Sequence, residues 1–223
     1  MSHADHEFVP LDFERLPDHE MLERATSFYQ DLDRRRSVRH FTDEPIPEGI
    51  LETCIRAAGT APSGAHKQPW TFVVVRDPQL KRKIRLAAEE EERELYHRRI
   101  SDEWRADLAP LGTDEHKPFL ETVPALIVLF RQVFGVDEEG GRTTNYYTQE
   151  SVGIALGMLI AALHHAGLAT LTHTPSPMGF LAELLERPKN EKAYVLLPVG
   201  YPTPDCHVPK LERKPLKEIS IWK

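Results

Sequence analysis

Ala125-Leu-Ile-Val-Leu-Phe130 is an uninterrupted apolar run of strand length, and Ala193-Tyr-Val-Leu-Leu-Pro-Val199 is another. Runs this short and this apolar read as strands buried on both faces. Between them lies Ser151–His165, in which Val152, Ile154, Ala155, Leu156, Met158, Leu159, Ile160 and Leu163 leave almost no polar side. The segment falls short of the roughly 20 residues that span a bilayer, and His164-His165 closes it. It therefore predicts a helix at the centre of the core or in a dimer interface.

Working outward, Trp70–Val75 is an aromatic and β-branched strand ending at Asp77-Pro78, and Ala169–Thr174 is a third strand candidate after the central helix. Apolar residues at three- and four-residue steps predict a helix through Met21–Leu32. A second follows Pro47, with Ile50, Leu51, Cys54, Ile55 and Ala58 inside. A charged helix starts near Gln79 and runs past Tyr96, with Leu80, Ile84 and Ala88 as its inner stripe and Glu89–Glu92 largely outside. From Asp102 to Glu121, Pro110, Gly112 and Pro118 predict a broken, mobile excursion. Met178–Glu186 predicts a short helix, and Ile219-Ser-Ile-Trp222 a strand-like end to an arm. Helices interspersed with short strands indicate an α+β fold: a mixed central sheet flanked by helices.

The chain has 223 residues, enough for one sizeable core. With 28 basic and 35 acidic residues its net charge is −7, which argues against a broad surface for nucleic acid or an anionic membrane. Cys54 and Cys206 are its two cysteines, expected as reduced thiols. The first residues lack the basic flank and apolar core of a secretory leader, so a cytoplasmic protein is expected. No metal constellation emerges from the 11 histidines, and no GxGxxG, GxxxxGK[ST] or GxSxG pattern occurs.

Four local patterns could carry chemistry, and each has a plainer alternative. Arg34-Arg35-Arg36-Ser37-Val38-Arg39 gathers guanidinium groups and a hydroxyl suited to a phosphate, or is a solvated helix end. Ala61-Pro62-Ser63-Gly64-Ala65-His66 lets backbone amides approach a flat ligand, or is an ordinary connection. Glu92 and Tyr96 share a helix face, and Lys117 arrives from the broken segment. Together they suit a zwitterion, with Glu92 facing an ammonium and Lys117 a carboxylate, or they belong to a solvated charged face. Thr172-His173-Thr174-Pro175 ends a strand where hydroxyls either face a ligand or cap the next helix.

Taken together, Arg35-Arg-Ser-Val-Arg39, Ala57-Ala-Gly-Thr-Ala-Pro-Ser-Gly-Ala-His66, Pro69-Trp-Thr-Phe-Val-Val-Val75, Leu197-Pro-Val-Gly-Tyr-Pro202 and Arg213-Lys-Pro-Leu216 resemble the nitroreductase-like flavoproteins. Within that superfamily, Ala61–His66 with Glu92, Tyr96 and Lys117 resembles the iodotyrosine deiodinase family. The resemblance implies an intertwined homodimer that binds FMN at its interface. It covers an FMN-binding domain (34–216) with a lid at about 89–120, leaving outside it a helical extension (1–33), whose helix is read from periodicity, and a C-terminal arm (217–223). It implies that Arg35, Arg36, Ser37 and Arg213 hold the cofactor's phosphate and ribityl side, that Pro62, Ser63 and Gly64 line its ring, and that Arg39, Thr172 and Thr174 also bind it. The Thr174 hydroxyl is expected near flavin N5, where it favours single-electron steps. Ala65 is expected to offer its backbone N–H to the substrate phenolate, while Glu92, Tyr96 and Lys117 grip the amino-acid end. Thr174 and Ala65 are thus the expected catalytic positions.

The implied activity is reductive dehalogenation of halotyrosines by stepwise electron transfer from reduced FMN. The alternatives are a general FMN-dependent NAD(P)H nitroreductase or quinone reductase, and a halotyrosine-sensing protein without turnover. No nicotinamide motif names the electron donor, a reductase or NADPH. No membrane anchor of the kind found in the animal branch is expected.

Overall fold

The two apolar runs pair with each other at the centre of the sheet. A computed structural model describes residues 7–223; the expected absence of a leader rests on the first residues, of which 1–6 lie outside the described residues. In chain order the elements are α1 (Asp18–Arg34), α2 (Ile50–Gly59), β1 (Trp70–Val75), α3 (Pro78–Glu94), α4 (Asp102–Leu108), α5 (Phe119–Thr122), β2 (Ala125–Gln132), β3 (Gly135–Val136), β4 (Arg142–Thr143), α6 (Thr148–His165), β5 (Ala169–Thr170), α7 (Gly179–Leu184), β6 (Glu191–Gly200) and α8 (Leu216–Ile219). The sheet order is β1-β2-β6-β5 with antiparallel neighbours. A parallel bridge from Ser37 to Thr170 extends its edge beyond β5.

Alternation along β2 divides the core in two. Leu126, Val128 and Phe130 pack with Ile84 and Ala88 of α3, Phe119 and Leu120 of α5 and Leu181 of α7. Ala125, Ile127 and Leu129 point the other way, onto Leu51, Cys54 and Ala58 of α2 and Val152, Leu159 and Leu163 of α6. Because helices cover both faces, six consecutive residues of β2 are buried, which is why the run is apolar without alternation. On the side of α6 away from this core, Ile154 and Gly157 are exposed.

Capping starts α3: Pro78 occupies its first turn, and the Asp77 side chain accepts from the Leu80 N–H at 2.7 Å. The expectation that Glu89–Glu92 lie outside is corrected for two of the four, since Glu89 and Glu92 are buried. Glu92 continues the four-residue stripe of Ile84 and Ala88, so helical period outweighs side-chain polarity there. Beyond Glu94 the helix widens into one π turn, Leu95–Arg99, a form found mostly at functional positions. The broken excursion consists of α4, a 3₁₀ turn over Ala109–Leu111 and α5.

Two further expectations change. The strand Ala169–Thr174 keeps regular pairing only at Ala169–Thr170, although His173 and Leu196 still exchange backbone hydrogen bonds of 3.0 and 2.9 Å. The strand-like end at Ile219–Trp222 is absent; α8 ends at Ile219, and with no neighbouring strand to pair with, residues 220–223 have no regular structure. No helix among the described residues is long and apolar enough to cross a membrane.

The contacts divide the chain into a unit ending at Arg34 and a unit Arg35–Lys223. In the first, α1 buries none of its residues, and Met21, Leu22, Phe28 and Tyr29 are each more than half exposed. The second holds the sheet and both cores.

Candidate active site

Where the chain leaves β5 it borders a cavity of about 160 Å³ into which Arg39, Glu92, Tyr96, Lys117, Thr172 and Thr174 converge. Glu92 and Tyr96 come from consecutive turns at the end of α3, and Lys117 from the segment just before α5. The Lys117 ammonium lies 3.6 Å from the Glu92 carboxylate, with both side chains almost wholly removed from water. It also donates to Thr113 Oγ1 at 3.1 Å and to the Asp114 carbonyl, while the Lys117 N–H donates to Glu89 Oε1 at 2.8 Å. Tyr96 donates its hydroxyl to the Thr113 carbonyl at 3.2 Å.

Burial dominates the electrostatics here. It pushes the Glu92 carboxyl above its ordinary range, and Lys117 partly offsets this. The same burial pulls the Lys117 ammonium below its ordinary range, with Glu92 opposing it. Arg39 is likewise lowered by burial and Tyr96 raised. Glu92 and Lys117 thus form a buried ion pair on the wall of the cavity.

A second cavity, of about 290 Å³, is lined by Arg35, Arg36, Ser37, Arg39 and Arg213, with Glu212 the one carboxylate on its wall. Arg213 donates to the Arg35 carbonyl at 2.9 Å and Arg36 to the Pro209 carbonyl, so residues near the C-terminus close over the arginine run. Burial lowers Arg35, and repulsion from Arg213 and Arg36 lowers it further. Cations crowded in this way favour an anion with several oxygens, and the donor set fits the phosphate of FMN. Arg39 lines both cavities and joins them.

Pro62, Ser63, Gly64 and Ala65 line neither cavity. Their loop follows α2, on the sheet face covered by α2 and α6, whereas Glu92, Lys117 and Phe119 belong to the α3 and α5 side. The loop is held by Gly64 N–H to Ser151 Oγ at 3.4 Å and Gln68 N–H to Ser63 Oγ at 2.9 Å. Ala65 is exposed and left-handed at φ 49°, a conformation costly for a residue with a Cβ. A Cβ on Gly64 would come within 2.8 Å of the Tyr146 carbonyl oxygen, so glycine is required for the close approach.

Sequence reasoning gave no role to His173. It lines the first cavity and is 7% exposed, between two exposed threonines. The period-two alternation of a strand end was the signal that could have found it.

A helix-flanked sheet with an arginine cradle at its edge defines the nitroreductase class, and residues 32–201 match the Nitroreductase family. Iodotyrosine deiodinase from Haliscomenobacter hydrossis is 56% identical over 214 residues, covering 96% of each chain; iodotyrosine deiodinase 1 from Homo sapiens is 48% identical, covering 96% of this chain and 75% of the human one. A crystal structure of oxidized iodotyrosine deiodinase bound to FMN and 3-iodo-L-tyrosine superposes with a TM-score of 0.76 at 32% identity, covering 85% of this chain and 96% of that one. The chain belongs to the nitroreductase family and, within it, to the iodotyrosine deiodinases.

Proposed function

We propose that this protein is an FMN-dependent reductive dehalogenase that converts mono- and diiodotyrosine to tyrosine and halide. The observation that carries it is the convergence of Arg39, Glu92, Tyr96, Lys117, Thr172 and Thr174 on one cavity that adjoins the arginine cradle. Identity of 46–56% to iodotyrosine deiodinases over most of the chain supports the same substrate class. The chemistry supplied by bound, reduced FMN is delivery of two electrons in single steps; with one proton they replace the carbon–halogen bond by carbon–hydrogen and release halide.

The chain's own residues bind, orient and exclude water. Arg35, Arg36, Ser37 and Arg213 hold the phosphate and ribityl side, where two negative charges relieve the repulsion among guanidiniums. Arg39, Thr172 and Thr174 would also contact the cofactor, with the Thr174 hydroxyl as a donor to it. Glu92 receives the substrate ammonium, Lys117 the carboxylate, and Tyr96 closes beside them. The segment 89–120 acts as a lid that removes water and fixes the phenol. Pro62, Ser63 and Gly64 line the ring, and the Ala65 N–H donates to the phenolate oxygen.

That last group requires a second subunit. Within one chain the loop 62–65 sits on the opposite sheet face from Glu92 and Lys117, so a homodimer in which each loop serves its partner's cavity completes the site. The exposed Ile154 of α6 supports an interface on that face. We place the enzyme in the cytoplasm, consistent with its two free cysteines, with a reductase or NADPH as electron donor.

The test is discrimination by the zwitterion clamp. Flavin fluorescence in the FMN-loaded protein is expected to respond to 3-iodotyrosine at concentrations at least tenfold lower than to 2-iodophenol, the loss expected when buried charges are left unpaired. Equal affinities would favour a general nitroreductase.

A further inference from the structure

We infer that His173 is a positioning residue for Glu92: its imidazole holds the carboxylate through the oxygen that Lys117 does not face, keeping it aimed at the substrate ammonium when Lys117 turns to the substrate carboxylate. The inference rests on the zwitterion site proposed above. His173 Nδ1 lies 3.9 Å from Glu92 Oε1, whereas the Lys117 ammonium lies 3.6 Å from Oε2. The two therefore flank one carboxylate. Glu92 and Lys117 both lie on the 89–120 segment, while His173 is tied to β6 by backbone bonds with Leu196 in both directions and so offers the carboxylate a partner outside that segment. Phe119 meets its ring edge-on, with centroids 6.1 Å apart and planes at 82°.

The protonation state follows from the surroundings. The charged groups that face His173 are Glu92 from α3, Lys117 from the segment before α5 and Arg39 from the strand edge. Burial, then Lys117 and Arg39, lower its pKa to about 3, so the ring is neutral near pH 7 and offers a single N–H. Nε2 is buried without a hydrogen-bond partner. A proton on Nε2 would leave that N–H unpaired and turn the Nδ1 lone pair toward the carboxylate. The favoured tautomer therefore carries its proton on Nδ1, facing Glu92. At 3.9 Å the contact is longer than a hydrogen bond while Lys117 holds the other oxygen; release of Lys117 to the substrate lets it shorten. Burial alone drives Glu92 toward its uncharged form, so a fixed N–H that favours the carboxylate has a direct effect on ammonium binding.

The experiment compares wild type, His173→Phe and His173→Asn in the FMN-loaded protein, measuring calorimetric Kd for 3-iodotyrosine and 2-iodophenol, FMN content, and the pH dependence of the iodotyrosine Kd. His173→Phe is expected to weaken iodotyrosine about tenfold, as for loss of one hydrogen bond to a charged group. It also moves the acid limb of the pH profile upward and leaves iodophenol affinity and FMN content unchanged. His173→Asn, which keeps an N–H donor, is expected to restore most of the affinity and the limb. Unchanged iodotyrosine binding in His173→Phe, or equal weakening of both ligands, would overturn the inference. If His173→Phe fails to fold, His173→Asn decides, since near wild-type affinity supports the role and a tenfold loss contradicts it. Wild-type protein that does not discriminate between the ligands overturns the proposed function instead, so the two failures are distinct.

Discussion

Glu92 and Lys117 are each pushed by burial toward the uncharged state, and each keeps the other charged. Binding a zwitterion requires the carboxylate ionised and the ammonium protonated. Glu92 titrates above the ordinary carboxylate range, so affinity is lost as pH falls through that raised value; Lys117 titrates below the ordinary lysine range, so affinity is lost as pH rises through that lowered value. The predicted profile of 1/Kd for iodotyrosine is a bell narrower than that of two solvent-exposed groups, while iodophenol lacks the Glu92 and Lys117 limbs and shows only the ionisation of its own hydroxyl. Lys117→Met is expected to remove the alkaline limb and, by leaving Glu92 without its cation, to move the acid limb further upward. Kd measured from pH 5 to pH 10 checks both, and a flat profile would detach these residues from substrate binding. The sequence made the trio legible by spacing. It did not make their burial legible, because a run of glutamates reads as a solvated face until the four-residue stripe through Ile84, Ala88 and Glu92 is set against the sheet.

At the scale of elements, the lid and the loop 62–65 are held in different ways. The lid closes on itself through polar contacts: His97 to Glu115 at 2.8 Å, Arg105 to the Tyr96 carbonyl at 2.7 Å and Tyr96 to the Thr113 carbonyl at 3.2 Å. Its C-terminal end is anchored in the core by Phe119 and Leu120, whereas Trp104 at its centre is 46% exposed, so the segment proposed as a lid is least anchored at its middle. The loop adds steric fit to its two hydrogen bonds, since Gly64 abuts the backbone before α6. Gly64→Ala is predicted to force that backbone apart, costing about 1–3 kcal/mol of stability and weakening FMN binding, whereas Gly112→Ala in the lid, where a Cβ meets no atom but the residue is left-handed, costs about 1 kcal/mol. Urea unfolding and FMN content of the two variants check this. Equal FMN retention would remove the loop from the cofactor site. The long elements α3, by its period, and α6, by its unbroken apolar length, are legible from their residues. The hairpin β3–β4 was not, because two-residue strands carry no period, and neither was the curtailment of β5, whose pairing depends on where β6 ends.

In the whole molecule, one chain holds the Glu92–Lys117 cavity on the α3 side of its sheet and the loop 62–65 on the side covered by α2 and α6. The resemblance supplied a dimer, and α6, apolar on nearly every side yet carrying exposed Ile154 and Gly157, gives a physical reason for one. Ile154→Asp is predicted to shift the protein from twice the chain mass to a single chain in sedimentation and to lose FMN in the same step, because each site would lack its partner's loop. A monomeric variant that keeps FMN would refute the shared site. Composition argues against broad nucleic-acid and membrane surfaces, but no periodicity could reveal that the Glu92–Lys117 cavity and the loop 62–65 face apart, since that is a property of the sheet as a layer.

The central claim is that electrons from the flavin break a carbon–halogen bond in a halotyrosine held by this protein. It is tested most directly by reducing the FMN-loaded protein chemically under argon, adding one equivalent of 3-iodotyrosine, and measuring iodide and tyrosine. One iodide and one tyrosine per two electrons removed from the flavin is the predicted result; iodotyrosine recovered intact beside fully reduced flavin would contradict it.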